Sequence, residues 1–335
     1  MPIRLINITG TGKYLPDKIV PSQELDAKLG KPNGWVQNKS GVSKRYFASQ
    51  HETTSFMATQ AAKEALKKAA ISPEELDCII GACGVMEQPI PCTATLVHKQ
   101  LGLEKSGISA FDINSTCLSF LSALDIASYM IDAKRFRNVL IVSSDIPSLG
   151  LNWNHMESCT IFGDGAAATI LSSPTEKQET RILSSRLETY SEGSSYCQVQ
   201  AGGTKLHPSR FMEDLSEYAL FEMDGKAAYK LTASVIDDFV GRLFKDTKLT
   251  LDDMDWVIPH QASLLAMHHL RKKLGVPEEK LIDIFSTHGN QVAASIPTAF
   301  HEAFLTNKIR SGDKILLIGT GAGVSLGGMI LEYNQ

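Results

Sequence analysis

The stretch FDINSTCLSFLSALDIASYMI, Phe111 to Ile131, reads as a strand, a polar turn and a helix. The apolar segment Ile108 to Ile113 forms a short strand, which Asn114-Ser115-Thr116 ends. Beyond Cys117, Leu118, Leu121, Leu124, Ile126 and Ile131 recur at helical spacing. Ser119, Ser122, Ala123 and Ala127 fill the gaps, so this helix can be buried on most sides. Cys117 therefore stands at the N-terminus of a buried helix. Unpaired N–H groups and the positive end of the helix dipole lower a thiol's pKa there. A thiolate is a nucleophile, so the placement suits covalent acyl chemistry. It equally suits a structural cysteine, since free Cys is among the most buried residue types.

Outward from this stretch, strands alternate with helices. The sequence predicts strands at Leu5–Gly12, Cys78–Ala82, Asn138–Ser144, Ala166–Leu171, Trp256–Ile258, Leu281–Phe285, Lys314–Ile318 and Leu326–Glu332. Helices are expected near Ser22–Leu29, Ser55–Ala69, Thr93–Leu101, Ala227–Phe244, Ser263–Leu274 and Ala293–Leu305. The near-continuous apolar runs are those of parallel strands. Gly10-Thr-Gly12 is no nucleotide loop, because Pro16 follows where a helix should begin. Residues 173–222 are rich in Ser, Glu and Thr and weakly periodic, so they read as a polar insertion or cap.

A diverged internal repeat organises these elements. ISPEELDCIIGACG (71–84) resembles LTLDDMDWVIPHQA (249–262), and VHKQLGLE (97–104) resembles LRKKLGVP (270–277). FDINSTC (111–117) resembles LIDIFSTHG (281–289), and RNVLIVSSD (137–145) resembles GDKILLIGT (312–320). Four pairs in one order imply two similar α/β halves about a pseudo-two-fold, with mixed sheets and buried central helices. The halves are expected at 1–172, with the Cys turn, and at 173–335, where the cap precedes an α/β unit at 223–335. Strand-end loops of both halves would then meet in one crevice, bringing Cys117, His260 and Asn290 together.

Composition narrows the classes of function. With 335 residues, 43% apolar and 21% charged, the chain is that of a soluble globular protein with ample core. A net charge of −4 gives no reason to expect nucleic acid or an anionic membrane as partner. The cysteines at 78, 83, 92, 117, 159 and 197 form no CxxC pair and no metal-ligand spacing with His. They read as reduced thiols, and no metal site is expected. Met1 leads straight into a strand with no signal-peptide pattern, and no apolar run approaches the roughly 20 residues of a membrane span. A cytoplasmic location is the expectation.

Several motifs together resemble a ketosynthase of the β-ketoacyl-ACP synthase III type, in the thiolase-like superfamily. They are the Cys turn at 114–119, Phe162-Gly163-Asp164-Gly165, Pro259-His260-Gln261-Ala262, His288-Gly289-Asn290 through Pro297, and the Gly-rich end Gly319 to Gly328. They run through nearly the whole chain in the family's order. The resemblance implies a five-layered thiolase-like fold and a Cys-His-Asn site. Cys117 would take an acyl group from a CoA or carrier-protein thioester. His260 and Asn290 would donate to the thioester oxygen of a malonyl-type extender while it decarboxylates and attacks the acyl-Cys. The backbone N–H groups of Cys117 and Ala322 would form the oxyanion hole. No cofactor is implied beyond CoA or phosphopantetheine thioesters as substrates. The implied partners are acyl-CoA, malonyl-CoA or malonyl-ACP, an acyl carrier protein and a second copy in a homodimer.

Departures from the family's pattern bear on substrate. Trp35 stands where the family stacks the CoA adenine, but its customary Arg partner is Lys39, a poorer stacker. Met156 and Leu265 replace arginines that contact CoA or the carrier protein. Ile90 stands where several members place a Phe that closes the acyl pocket across the dimer. These changes point to a specialised member with a non-acetyl acyl preference. The basic run Arg271-Lys272-Lys273, with His268 and His269, would suit an acidic carrier protein. Gly323-Val-Ser325-Leu-Gly327 is no hydrolase elbow, since no helix follows and too little chain remains for Asp and His. The second Cys of degradative thiolases is absent from Gly321-Ala322-Gly323. The competing readings are an acyltransferase to an alcohol or amine, and a non-catalytic partner subunit.

Overall fold

The buried apolar runs become strands in two units of matching topology. In the first, Cys78–Gly81 pairs in parallel with both Ser109–Asp112 and Asn138–Asp145, and the last pairs antiparallel with Gly165–Ser172. In the second, Trp256–Pro259 runs parallel to Lys314–Gly321, which pairs antiparallel with Ser325–Glu332. The entry turns use the same devices. The Glu75 and Asp253 carboxylates accept from the Ser72 and Thr250 N–H groups, each at 2.8 Å. Asp77 and Asp255 accept from the N–H groups that open the neighbouring strands, at Asn138 (2.9 Å) and Lys314 (2.8 Å). This computed structural model describes residues 2–176, 178–211 and 214–334.

The long strand Arg4–Tyr14 joins the two units. Its residues 7–14 pair with Gly165–Ser172 and its residues 4–6 with Thr180–Thr189, with a register slip between Ile8 and Gly10. Among the described residues, nine strands thus form one mixed sheet system. The helices Ser119–Asp132 and Ser295–Leu305 lie between its two halves, packed in a core with Ile80, Ile141, Ile258 and Leu317. Thr54–Ala69 and Thr93–Gln100 cover the outer face of the first half. Gly225–Phe244 and Leu264–Leu274 cover that of the second. The five layers and buried central helices are those expected. Buried Arg4 ties the Ser119–Asp132 helix to this frame through Asp125 at 2.6 Å and Ser128 at 2.8 Å.

Two expectations need correction. The segment 173–222 is not all cap, for Thr180–Thr189 is a ten-residue strand inside the sheet, between Arg4–Tyr14 and Ser325–Glu332. It reads as polar because its polar side chains find partners within the fold. Ser184 donates to the Leu243 carbonyl, Ser185 to Asp125, and Glu188 pairs with Arg242. The following stretch holds a small hairpin, Cys197–Gln198 with Glu222–Met223, that borders the cavity described below. Lys177, Met212 and Glu213 lie outside the described residues.

Leu281–Phe285 does not form a strand either. Only a single parallel bridge joins Leu281 to Val257, and Phe285–His288 is a helical turn. The buried Gln261 side chain takes the backbone groups a ladder would have paired, donating to the Ile282 carbonyl at 3.2 Å and accepting from the Ile284 N–H at 3.0 Å.

Candidate active site

The turn before the Ser119–Asp132 helix is held by its own polar side chains. Asn114 accepts from the Thr116 N–H at 2.9 Å and donates to the Gly84 carbonyl at 3.2 Å. Ser119 accepts from the Ser115 N–H at 2.9 Å and donates to the Cys83 carbonyl at 3.0 Å. Ser122 donates to Ser115 at 2.8 Å. The serines read from the sequence as gap-fillers therefore position Cys117, which sits in the short 3-10 turn Thr116–Leu118 just ahead of Ser119–Asp132.

Three β-branched residues around this point adopt left-handed backbone: Thr116 (φ 53°), Val292 (φ 52°) and Val324 (φ 54°). All three line one cavity. Such conformations cost about 1–3 kcal/mol each and persist only where the surroundings impose them. Gly321 makes room for the first, since a Cβ there would lie 2.8 Å from Thr116 Oγ1. Thr116 Oγ1 is buried with no partner, so little is lost with it. Thr116→Gly is expected to raise unfolding free energy by about 1 kcal/mol and to lower turnover, as the nucleophile's turn gains freedom. Denaturant melts beside steady-state rates check both.

His260 follows the Trp256–Pro259 strand and its N–H is fixed on the Ile318 carbonyl at 2.8 Å. A Cβ on Gly319 would stand 2.7 Å from the His260 Cβ, so the neighbouring strand passes close beneath the ring. The imidazole is buried, and its Nδ1 is sealed off with no partner. It can offer the cavity only its Nε2 edge. Asn290 follows Gly289, whose φ of 69° lets the chain pass tightly by the Ile161 carbonyl and the Gly163 N–H. The Asn290 amide is fixed in orientation. Its Oδ1 accepts from the Val292 N–H at 2.9 Å, and its Nδ2 donates to the Ala262 carbonyl at 3.1 Å. One N–H of Nδ2 is left for a ligand.

Cys117, His260, Asn290 and Ala322 all line one cavity of about 2040 Å³. The backbone N–H groups of Ala322 and of Cys117 itself face the thiol. The expected lowering of the thiol pKa is not met. Burial pushes it up to about 12, with the nearby Asp145 carboxyl adding to the rise against those two N–H groups. Desolvation outweighs one turn's dipole because the surrounding protein encloses the sulfur. At rest Cys117 is a protonated thiol. Burial lowers His260 to about 4, so its imidazole is neutral at physiological pH. Protonation of His260 therefore causes no loss of turnover between about pH 8 and 5, which pH profiles of equal shape in wild type and His260→Ala check.

The remaining expected residues divide. Lys39 and Leu265 line the cavity, as do His268, His269 and Lys273 at its mouth. Trp35, Met156 and Ile90 are not among the lining residues. Trp35 packs with Val20, Leu25, Val36 and Trp153, with the Lys31 ammonium 5.2 Å from its ring. Met156 turns into the apolar cluster around Cys159, Phe162 and Phe285. Ile90 is 86% exposed, next to the lining residues Gln88 and Pro89. Of the basic run, Lys273 is paired with Asp237 and Arg271 with Glu278. Sequence reasoning missed Asp145, buried at the end of the Asn138–Asp145 strand. The signal was present, because an acid two serines after the apolar run Val139–Val142, on the same buried strand, needs buried partners.

The chain matches the family described as 3-oxoacyl-[acyl-carrier-protein (ACP)] synthase III over residues 111–191, and that family's C-terminal region over 244–333. It is 34% identical over 329 residues to the β-ketoacyl-[acyl-carrier-protein] synthase III of Aquifex aeolicus, covering 97% of this chain and 99% of that protein. The corresponding enzyme of Clostridium novyi is 31% identical over 330 residues, covering 98% and 99%. The crystal structure of the 3-oxoacyl-[acyl-carrier-protein] synthase III from Aquifex aeolicus superposes with a TM-score of 0.87 over 98% of this chain and all of that one, at 32% identity. The layered sheets, the buried central helices and these likenesses agree: the chain has the thiolase-like fold and belongs to the β-ketoacyl-[acyl-carrier-protein] synthase III family of condensing enzymes.

Proposed function

We propose that the chain condenses an acyl group held on Cys117 with a malonyl thioester. The carrying observation is that one cavity holds the thiol, the His260 edge and a pre-oriented Asn290 N–H, one from the first unit and two from the second. In the first step the Cys117 sulfur attacks an acyl thioester. Its carbon–sulfur bond breaks, and the thiol proton passes to the departing CoA or carrier sulfur. The N–H groups of Cys117 and Ala322 hold the oxyanion. In the second, the malonyl carboxylate leaves as CO2, and His260 and Asn290 donate to the enolate oxygen. The enolate carbon attacks the acyl carbonyl, and the released Cys117 thiolate takes a proton from solvent. Each donor aimed at developing charge is worth about 2.7–4 kcal/mol.

The acyl preference is for a group larger than acetyl. The supporting features are Ile90 in place of a bulkier blocking residue and the absence of arginine at Lys39, Met156 and Leu265. A homodimer fits the free edge of Ser109–Asp112, which pairs on one side only among the described residues, and the exposure of Val85 and Ile90 in the loop that follows the neighbouring strand Cys78–Gly81. Across such a dimer Ile90 would reach the partner's acyl pocket. Lys39 and Leu265, which line the cavity, would flank the incoming CoA or pantetheine arm, and His268, Lys272 and Lys273 would meet an acidic carrier protein.

The test is intact-protein mass after incubation with acyl-CoAs of graded length, repeated with acyl carrier protein, then CO2 release on adding malonyl-CoA. One added acyl group, greatest for donors longer than acetyl, with malonyl-dependent CO2 is the expected result. Acylation without CO2 would make it an acyltransferase to another acceptor. No adduct from either carrier would leave a non-catalytic subunit.

A further inference from the structure

Asp145 is 1% exposed and sits where the two units meet. Its Oδ1 accepts from the N–H groups of Gly84 at 2.8 Å and Val85 at 3.0 Å, in the loop whose Gly84 carbonyl holds Asn114. Its Oδ2 accepts from the Ala293 N–H at 3.1 Å, and the Ala294 N–H also points to it. Those residues follow Asn290 and the strained Val292. A single carboxyl from the first unit thus gathers backbone donors from loops on both sides of the candidate site.

We propose that Asp145 is a positioning residue for the condensation, clamping the Asn290 loop of the second unit to the loop behind Cys117. This rests on the reading of Cys117 and Asn290 given above. Four N–H donors converging on two oxygens need an acceptor at every position. An amide at 145 would keep one acceptor and turn an –NH2 toward two N–H groups, releasing one loop. The carboxyl also acts on the nucleophile by charge. The titratable groups it faces among the described residues are the thiols of Cys117 and Cys83, with Asp112 and Glu87 beyond Cys83. Burial raises Asp145 to about 7, so its ionisation falls in the working pH range. Once ionised it opposes thiolate at Cys117, and the resting enzyme keeps its proton until an acyl thioester occupies the cavity.

Asp145→Asn tests this beside wild type. Decarboxylative condensation is expected to fall about a hundredfold and Cys117 acylation less than about tenfold, since the Asn290 donor is displaced while the nucleophile remains. The second readout is alkylation of Cys117 by iodoacetamide, followed by peptide mass. In wild type the log rate is expected to rise with less than unit slope where Asp145 titrates; in the variant it rises with unit slope throughout. A structural role alone would leave both slopes equal. Wild-type acylation and condensation rates in a folded variant would overturn the proposal. So would unit slope in wild type from about pH 5.5 to 9, a measurement that needs no variant to fold. Failure of wild-type Cys117 to acylate would instead sink the parent reading.

Discussion

Cys117→Ala is expected to take up no acyl group from any thioester and to form no β-ketoacyl product. Without a covalent intermediate the condensation loses its electrophile, so the fall should be at least about 10⁴-fold, the scale on which removing a nucleophile acts. The substitution is small. Cys117 lies in a turn held by Asn114, Ser119 and Ser122, none of which bonds to its sulfur. The protein should therefore fold with an unchanged melt. His260 and Asn290 would remain in place, so malonyl thioester should still lose CO2, now uncoupled from product. Intact mass, product analysis and CO2 release together check this. An acylated Cys117→Ala protein would place the nucleophile elsewhere, and Cys197, on the wall of the same cavity, would be the next thiol to examine.

His260→Ala and Asn290→Ala should show the opposite division. Each should acylate nearly normally yet lose about 10²- to 10³-fold in decarboxylation, the cost of one donor to developing negative charge. The double variant should lose less than the product of the two, because both act on one oxygen. Asn290→Asp should be worse than Asn290→Ala. The Val292 N–H holds one oxygen, so the second would face the Ala262 carbonyl and the enolate with a negative acceptor where an N–H had stood. Single-turnover acylation beside CO2 release separates the two steps. Equal loss in both steps would mean that these residues serve the cavity's shape and not the enolate.

Local pattern made most of the fold legible. Apolar runs such as Asn138–Ser144 and Lys314–Ile318 leave few alternatives to buried parallel strands. The repeated acidic entry turns announced two related units, and these are the turns closed by Glu75 and Asp253. Thr180–Thr189 was illegible because the partners of Ser184, Ser185 and Glu188 lie about 60 residues away in sequence. Leu281–Phe285 misled because Gln261 competes for its backbone, and nothing local to 281–285 reveals that.

The candidate site divides the same way. Sequence by itself determined which side chains could do the chemistry: a cysteine at a helix start, a histidine after a buried strand and an asparagine in a Gly-containing turn. Their neighbours marked them only as candidates; the internal repeat and the resemblance to the ketosynthase family joined them into one site. Only the tertiary structure decided their state. Burial and Asp145 raise the Cys117 thiol where the helix end alone would lower it. The Val292 N–H and the Ala262 carbonyl choose which way Asn290 points. Asp145 reaches loops some 60 and 148 residues away in the chain. Desolvation and hydrogen-bond direction depend on every atom around a group, and those atoms come from distant parts of the chain.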